Sequence, residues 1–300
     1  MTYLTATFYK FVALPDCHEQ RATLFARCKA QAIKGTILLA EEGINGTICG
    51  GATAVRTIVD TLRQDDRLAD LQVKESWSEQ MNFAQLKVKV KREIVTFGQP
   101  QANPSQQVGT YVQPADWNQV ISDPEVLVID TRNDFEVGVG SFRGAVNPKT
   151  ESFREFPAYV EQLDPDKHQK VAMFCTGGIR CEKASSYMLS QGFATVYHLE
   201  GGILKYLETV APEDSLWEGE CYVFDQRVTV THGLQAGSYS NCAGCGHPVA
   251  REAMQSPYYE AGISCPHCYD KLSADQLQRF RERKKQLQLK RQRAAQGSAS

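Results

Sequence analysis

Phe174-Cys175-Thr176-Gly177-Gly178-Ile179-Arg180-Cys181 decides how this sequence is read. Val171–Phe174 before it is an apolar run suited to a buried parallel strand. Cys181–Gln191 after it has helical character, with Gly192 placed to close the helix. Cys175 therefore falls where a strand gives way to a helix, the position at which open α/β sheets collect reactive groups. Thr176, Gly177, Gly178 and Ile179 are expected to turn their backbone N–H groups inward as an anion cradle, helped by the helix dipole. A thiolate is such an anion, and Arg180 adds a positive charge nearby. The prediction is a reactive Cys175 with a depressed pKa.

Working outward, Val126–Ile129 and Thr195–Leu199 read as further buried strands and Phe153–Leu163 as a helix. Strands alternating with helices over residues 113–210 imply a mostly parallel sheet covered on both faces. The loop's length narrows its chemistry. Cysteine phosphatases use C-x5-R to surround a phosphate, whereas Cys175 to Arg180 is C-x4-R. This shorter ring resembles rhodanese domains, which hold a persulfide sulfur. Asp130-Thr131-Arg132, Glu136, Gly144-Ala145, Pro148 and His198-Leu199-Glu200-Gly201-Gly202 follow the rhodanese pattern in order. By that resemblance Asp130 and Arg132 brace strand ends against the loop. Cys181 reads equally as a resolving thiol for an oxidised Cys175 or as an inert packed one.

Residues 1–97 read as a separate domain. Tyr3–Val12, Gly35–Ala40, Ile44–Cys49 and Leu86–Lys91 have strand character, and Arg21–Ile33 and Thr53–Leu62 helical character. The order β-α-β-β-α-β is that of a ferredoxin-like, acylphosphatase-like domain. It carries no acylphosphatase-type phosphate loop, so no such activity is expected. Lys87, Lys89 and Lys91 alternate with apolar residues, giving a basic outer face that reads as an RNA contact or as a solvated edge. Residues 98–112 have the Gly, Pro, Gln and Asn content of a linker.

Residues 211–300 form a third region. Cys242-Ala243-Gly244-Cys245 and Cys265-Pro266-His267-Cys268 are two C-x-x-C pairs with nineteen residues between them. That spacing reads as one structural zinc site with ligands Cys242, Cys245, Cys265 and Cys268. Ser273 is placed to cap a final helix, Ala274–Ala294, with Gln296–Ser300 expected to be disordered.

The net charge of −2 conceals an asymmetry. From Lys271 onward nine Lys or Arg stand against Asp275 and Glu282, a net +7 that leaves −9 on residues 1–270. A basic tail including Arg279, Arg283, Lys284 and Lys285 reads as a solvated basic helix or as the contact for an anionic partner such as a phosphate backbone. Hydrophobic residues at 42% suffice for real cores, and no run is long enough to span a membrane. The first residues show no secretory pattern, so a cytoplasmic location is expected and the ten cysteines read as catalytic, metal-binding or buried.

Further segments extend the resemblance over nearly the whole chain. Phe8-Tyr9-Lys10-Phe11, Gly35 to Ile48, Lys91 to Val95, Cys175 to Ala184 and Trp217 to Val228 resemble the bacterial rhodanese-domain tRNA uridine hydroxylases. The resemblance implies a tRNA substrate, molecular oxygen as co-substrate, 5-hydroxylation of the wobble uridine and an essential cysteine at Cys175. It implies no DNA or membrane partner and leaves the oligomeric state open. No flavin or haem motif is visible. The loop alone supports an alternative, a sulfurtransferase using a Cys175 persulfide. A non-enzymatic RNA-binding module fits the intact Cys175 and Arg180 poorly.

Overall fold

The structure is a computed structural model that describes residues 2–297, with residues 287, 288 and 290–297 described by backbone alone. Two compact units divide the chain. One runs to Gln226 and takes in Thr231–Gln235; the other comprises Arg227–Val230 and the residues from Ala236 on.

The first unit opens with β1 (Tyr3–Phe11), α1 (Cys17–Ala30), β2 (Lys34–Ala40), β3 (Gly43–Gly50), α2 (Ala52–Arg63), β4 (Val73–Ser78) and β5 (Leu86–Val90). Leu4, Ala6 and Phe8 alternate inward along β1, as the period of a strand requires. Val55, Ile58, Val59 and Leu62 lie on one stripe of α2 and close the core from above. Each fully buried Leu, Ile or Val there contributes about 1.5–3 kcal/mol of transfer free energy.

The sheet order is β4-β1-β3-β2-β5. Its first four strands have the ferredoxin-like order, but the last of them is Val73–Ser78, which the sequence pattern did not reveal. Leu86–Val90, expected in that role, is a fifth strand parallel to β2. The reason is local: VKESWS has no apolar alternation, its residues are half-buried or exposed, and Trp77 lies in solvent.

A second sheet follows in the same unit, from β6 (Thr110–Val112), α3 (Pro114–Ile121), β7 (Val126–Asp130), α4 (Asp134–Val137), β8 (Gly140–Phe142), α5 (Phe156–Val160), β9 (Lys170–Phe174), α6 (Ile179–Ser190), β10 (Thr195–Leu199) and α7 (Gly202–Thr209). Four strands pair in the order β6-β10-β9-β7, all parallel. The stretch 98–112, expected as a linker throughout, thus ends in an edge strand of this sheet. The helix expected over Phe153–Leu163 is a 3-10 turn, Phe153–Glu155, followed by the short α5. Pro157 sits in α5's first turn, where its missing N–H costs least. Gly192 ends α6 at φ +93, with Gly192 N–H bonded to Leu189 O and Phe193 N–H to Met188 O. This is the Schellman arrangement that a glycine at that position permits.

Residues 211–226 were expected to belong with the cysteine region. They pack instead in the first unit, where β11 (Trp217–Gly219) pairs with β8 and β12 (Cys221–Tyr222) follows. The cause is aromatic packing: Phe142 meets Phe174, Tyr206 and Trp217 edge-on at centroid distances of 4.8, 4.7 and 5.1 Å.

The two sheets of this unit are tied together through α6. Buried Lys183 pairs with Glu42 at 2.8 Å and Glu93 at 3.0 Å and donates to Val95 O. Glu42 in turn accepts from Ile94 N–H, and Glu93 from Phe97 N–H.

The second unit holds β13 (Thr229–Val230), the antiparallel pair β14 (Ser240–Asn241) and β15 (Pro248–Val249), and α8 (Ala274–Gly297). Ser273 caps α8 as expected: its Oγ accepts from Gln276 N–H while Gln276 Oε1 accepts from Ser273 N–H. Helix continues through Gln296 and Gly297, expected as disordered; the rest of that stretch, 298–300, lies outside the described residues. No helix among the described residues is long and apolar enough to cross a membrane.

Candidate active site and metal centre

Cys175 follows β9 directly and is wholly buried. Gly178 N–H donates to its Sγ at 3.1 Å. Gly178 adopts φ +103, a left-handed conformation that turns this N–H back onto the sulfur. The carbonyls of the loop face the other way. Ile203 N–H donates to Cys175 O at 3.0 Å and Leu204 N–H to Thr176 O at 3.1 Å, so the free end of α7 fixes the loop from behind. Gly202 makes this approach possible: a Cβ there would lie 2.5 Å from Cys175 O, 2.7 Å from Thr176 O and 2.8 Å from Gly178 N.

Burial opposes ionisation of Cys175. Hydrogen bonds from the Cys181 thiol, the Arg180 charge and the N–H groups of Cys181 and Gly178 outweigh it and hold the thiol well below its ordinary value. Cys181 is pushed the opposite way, by burial and by the thiolate beside it. Its Sγ lies 3.5 Å from Thr131 Oγ1. Of the expected cradle residues, Gly178 is the one whose N–H meets the sulfur within the loop; Thr176 meets Arg180 and Glu136 through its hydroxyl instead.

Arg180 is less free than the sequence suggested. Its guanidinium is held bidentately by Glu136, at 2.7 and 2.9 Å, in a nearly dry site. Asp130 and Arg132 form a second, fully buried pair, Nε to Oδ1 at 2.9 Å and Nη2 to Oδ2 at 2.6 Å. Arg132 also donates to Glu136 O and Gly140 O and lies over the Trp217 ring, 5.1 Å from its centroid. Ser141 Oγ completes Asp130 at 2.8 Å. Asp130 and Arg132 thus make their bonds to the strand ends, the α4 turn and β8 rather than to the sulfur.

Four further groups meet the site unannounced by the motif. Tyr9 of β1 donates to Glu182 Oε1 at 2.8 Å, and its hydroxyl would lie 2.8 Å from a Cβ on Gly178. Lys74 of β4 donates to Gly177 O at 2.6 Å. Burial and the neighbouring Glu182 carboxylate push the Tyr111 hydroxyl of β6 up. Burial raises the Glu182 carboxyl, against the pull of the two tyrosine hydroxyls and Lys74. Glu182 falls within the Cys175 to Ala184 stretch, but no spacing points to Tyr9 or Lys74, which reach Glu182 and Gly177 O only through tertiary packing.

In the second unit the sulfurs of Cys242, Cys245, Cys265 and Cys268 lie within 4.8 Å of one another and could hold a metal ion. The sulfurs of Cys242 and Cys268 lie 3.8 Å apart, those of Cys245 and Cys265 3.7 Å and those of Cys265 and Cys268 3.8 Å. His247 and His267 stack on each other at 3.7 Å rather than joining that set. Of the basic residues read as RNA contacts, Lys87, Lys89 and Lys91 are exposed, as are Arg279 and Lys285. Arg283 is committed within its own unit: it donates to Ala243 O at 2.6 Å and lies over Phe280. Lys284 packs its stem beside Gly262.

Two segments of the chain match known protein families. Residues 3–94 match the family described as UPF0176 acylphosphatase like domain, and residues 113–209 the Rhodanese-like domain. A rhodanese-related protein from Thermoplasma volcanium is similar at 29% identity, covering 34% of this chain and 95% of that one with a TM-score of 0.29. A rhodanese-like domain from Anabaena sp. is similar at 18% identity, covering 36% and 78%, also with a TM-score of 0.29. Over 287 residues, 95% of this chain and 96% of the relative, the sequence is 56% identical to a Picosynechococcus sp. protein named tRNA uridine(34) hydroxylase. At that identity and coverage, the chain belongs to the tRNA uridine(34) hydroxylase family.

Proposed function

We propose that this protein hydroxylates uridine 34 of tRNA at C5, consuming molecular oxygen, with Cys175 as the nucleophile. The observation that carries the reading is the thiolate environment of Cys175: a wholly buried sulfur that accepts from Gly178 N–H at 3.1 Å, with Arg180 and Cys181 drawing its pKa down against burial. A uracil ring is electron-poor at C6. Addition of Sγ to C6 forms the S–C6 bond and moves the C5=C6 electrons to C5, which becomes nucleophilic toward an electrophilic oxygen. After oxygen is placed on C5, loss of the C5 proton and departure of the thiolate restore the double bond. If one atom of dioxygen enters the base, reducing the other to water takes two electrons and two protons from a reductant.

The side chains divide this work. Arg180 and the Gly178 N–H favour the thiolate as attacking and leaving group. Glu136 keeps Arg180 in place, and the Asp130–Arg132 pair braces β7 and the following turn. Cys175 and Cys181 shift in opposite directions, Cys175 toward the thiolate and Cys181 toward the thiol. The four-cysteine site fits zinc: a Zn–S bond of about 2.3 Å implies tetrahedral sulfur separations of about 3.8 Å, which the observed separations approach. Four thiolates leave no open position, so the ion would be structural. Exposed Lys87, Lys89, Lys91, Arg279 and Lys285 would meet tRNA phosphates, with Arg283 and Lys284 chiefly fixing α8.

The experiment is complementation in cells lacking their own wobble-uridine hydroxylases, read by mass spectrometry of tRNA nucleosides. Return of 5-hydroxyuridine or its derivatives with the parent protein, and not with Cys175→Ser, supports the proposal. Return with both refutes the role of Cys175. The C-x4-R ring also suits a persulfide; loss of a thiolated nucleoside instead, with thiosulfate-to-cyanide turnover, would favour sulfur transfer.

A further inference from the structure

We propose that Lys74, on a strand of the first sheet, is a positioning residue of the Cys175 site, acting through the peptide that joins Gly177 to Gly178. The proposal rests on the reading of Cys175 as the reactive thiolate.

Two hydrogen bonds share that one peptide. Lys74 Nζ donates to Gly177 O at 2.6 Å, and the N–H on the other side, that of Gly178, donates to Cys175 Sγ at 3.1 Å. In a trans peptide C=O and N–H point in opposite directions, and no cis peptide is present among the described residues. Holding the carbonyl toward Lys74 therefore aims the N–H at the sulfur. The ammonium also polarises the peptide, strengthening the donor at the far end of the chain of bonds. Glycine on both sides leaves the plane free to rotate, so an external anchor is what selects its orientation.

The placement of Lys74 suits the task. Its Nζ lies 3.9 Å from a Cβ built on Gly177, and its Cε lies 3.4 Å from one built on Gly201. It therefore stands across both loops that make the site. Its ammonium lies 5.8 Å from the centre of the Tyr9 ring. Cys175, Glu182 and Glu208 attract its charge and Lys205 repels it, while burial pushes its pKa down to about 8. Around Cys175 the other charged or titratable groups are Arg180, Cys181, Glu182 and Tyr9. Lys74 comes from outside the rhodanese-like domain, so that domain alone lacks this anchor.

The test is an ultraviolet thiolate titration of full-length protein, taking Cys175 as the difference between each variant and the same variant carrying Cys175→Ser. Lys74→Met should raise the Cys175 pKa by about one unit, about tenfold less thiolate at a pH below it. Lys74→Gln, which keeps a donor for Gly177 O without the charge, should fall between. Lys74→Arg should stay nearest the parent. Circular dichroism identifies the folded variants. A folded Lys74→Met or Lys74→Gln that titrates like the parent overturns the proposal. With tRNA, Lys74→Met should lower kcat more than it raises KM; the reverse also counts against positioning. The titration needs no turnover. An inactive parent protein with Lys74-dependent titration would thus refute hydroxylation alone, and an active parent with unchanged titration would refute Lys74 alone.

Discussion

Glu136→Gln removes one charge from the site while preserving shape. Glu136 is wholly buried, and its carboxylate is held low, against burial, by Arg180 and Arg132. The substitution leaves Arg180, 8% exposed, with a neutral amide where two charge-assisted bonds of 2.7 and 2.9 Å had been. Breaking a buried pair by neutralising one partner costs about 3–5 kcal/mol, because the other charge stays behind unpaired. With a urea dependence of about 2 kcal/mol per molar for a domain of this size, the unfolding midpoint should fall by about 2 M. Tryptophan fluorescence reports it: Trp117 of α3 is fully buried and Trp217 of β11 nearly so, both in the first unit, and a Trp77→Phe background removes the third, exposed indole. Arg143→Gln is the control, since Arg143 and Glu218 pair in solvent; its midpoint should not move. A depressed carboxylate stabilises above its unfolded pKa and loses that contribution as pH falls through its folded one. The gap between parent and Glu136→Gln should therefore be full above about pH 4.5 and narrow below it. A Glu136→Gln midpoint within about 0.3 M of the parent at neutral pH would refute the claim that this pair is dry and mutually dependent.

Further outcomes follow from other sites. His198 is buried, bonded to Gly109 O and held down at about 4, below its ordinary 6.5. Between these values the unfolded chain binds the proton and the folded one does not, so stability should fall as pH drops from 6.5 to 4; His198→Gln should flatten that slope in urea titrations across the window. Gly202→Ala places a Cβ within 2.8 Å of three backbone atoms of the reactive loop at a φ of +66; it should raise the Cys175 pKa or unfold the domain, and a parent-like thiolate titration would contradict the packing described. Cys265→Ser should abolish metal retention by the second unit, measured by elemental analysis after gel filtration; full metal content would mean the four sulfurs are not the ligands. Arg279→Gln with Lys285→Gln should reduce the salt dependence of tRNA binding by one to two ion equivalents (~0.7–0.9 each); an unchanged slope would remove α8 from the tRNA interface.

Local pattern carried much of the fold. The run Val171–Phe174, the glycines after Cys175 and the stop at Gly192 each act through their immediate neighbours, and the structure places them as strand, loop and helix end. The two C-x-x-C pairs were legible for the same reason, since ligand spacing within a knuckle is local. What escaped is decided at a distance. Val73–Ser78 becomes a strand because β1 offers it an edge, not because its own residues alternate. Thr110–Val112 joins the second sheet from within a polar stretch. Arg180 was legible as a charge, but its engagement by Glu136 required the fold. Lys74 and Tyr9 lie more than a hundred residues from the loop they touch, and no spacing rule joins them to it.

Cys175 of this chain is expected to direct oxygen onto uridine 34. Purified protein, unmodified tRNA and isotopically heavy dioxygen test it most directly, with nucleosides read by mass spectrometry. The parent protein should yield 5-hydroxyuridine at position 34 that requires dioxygen and carries one heavy oxygen atom, and Cys175→Ser should yield none. Hydroxylation that persists in Cys175→Ser, or that proceeds equally without dioxygen, would contradict it.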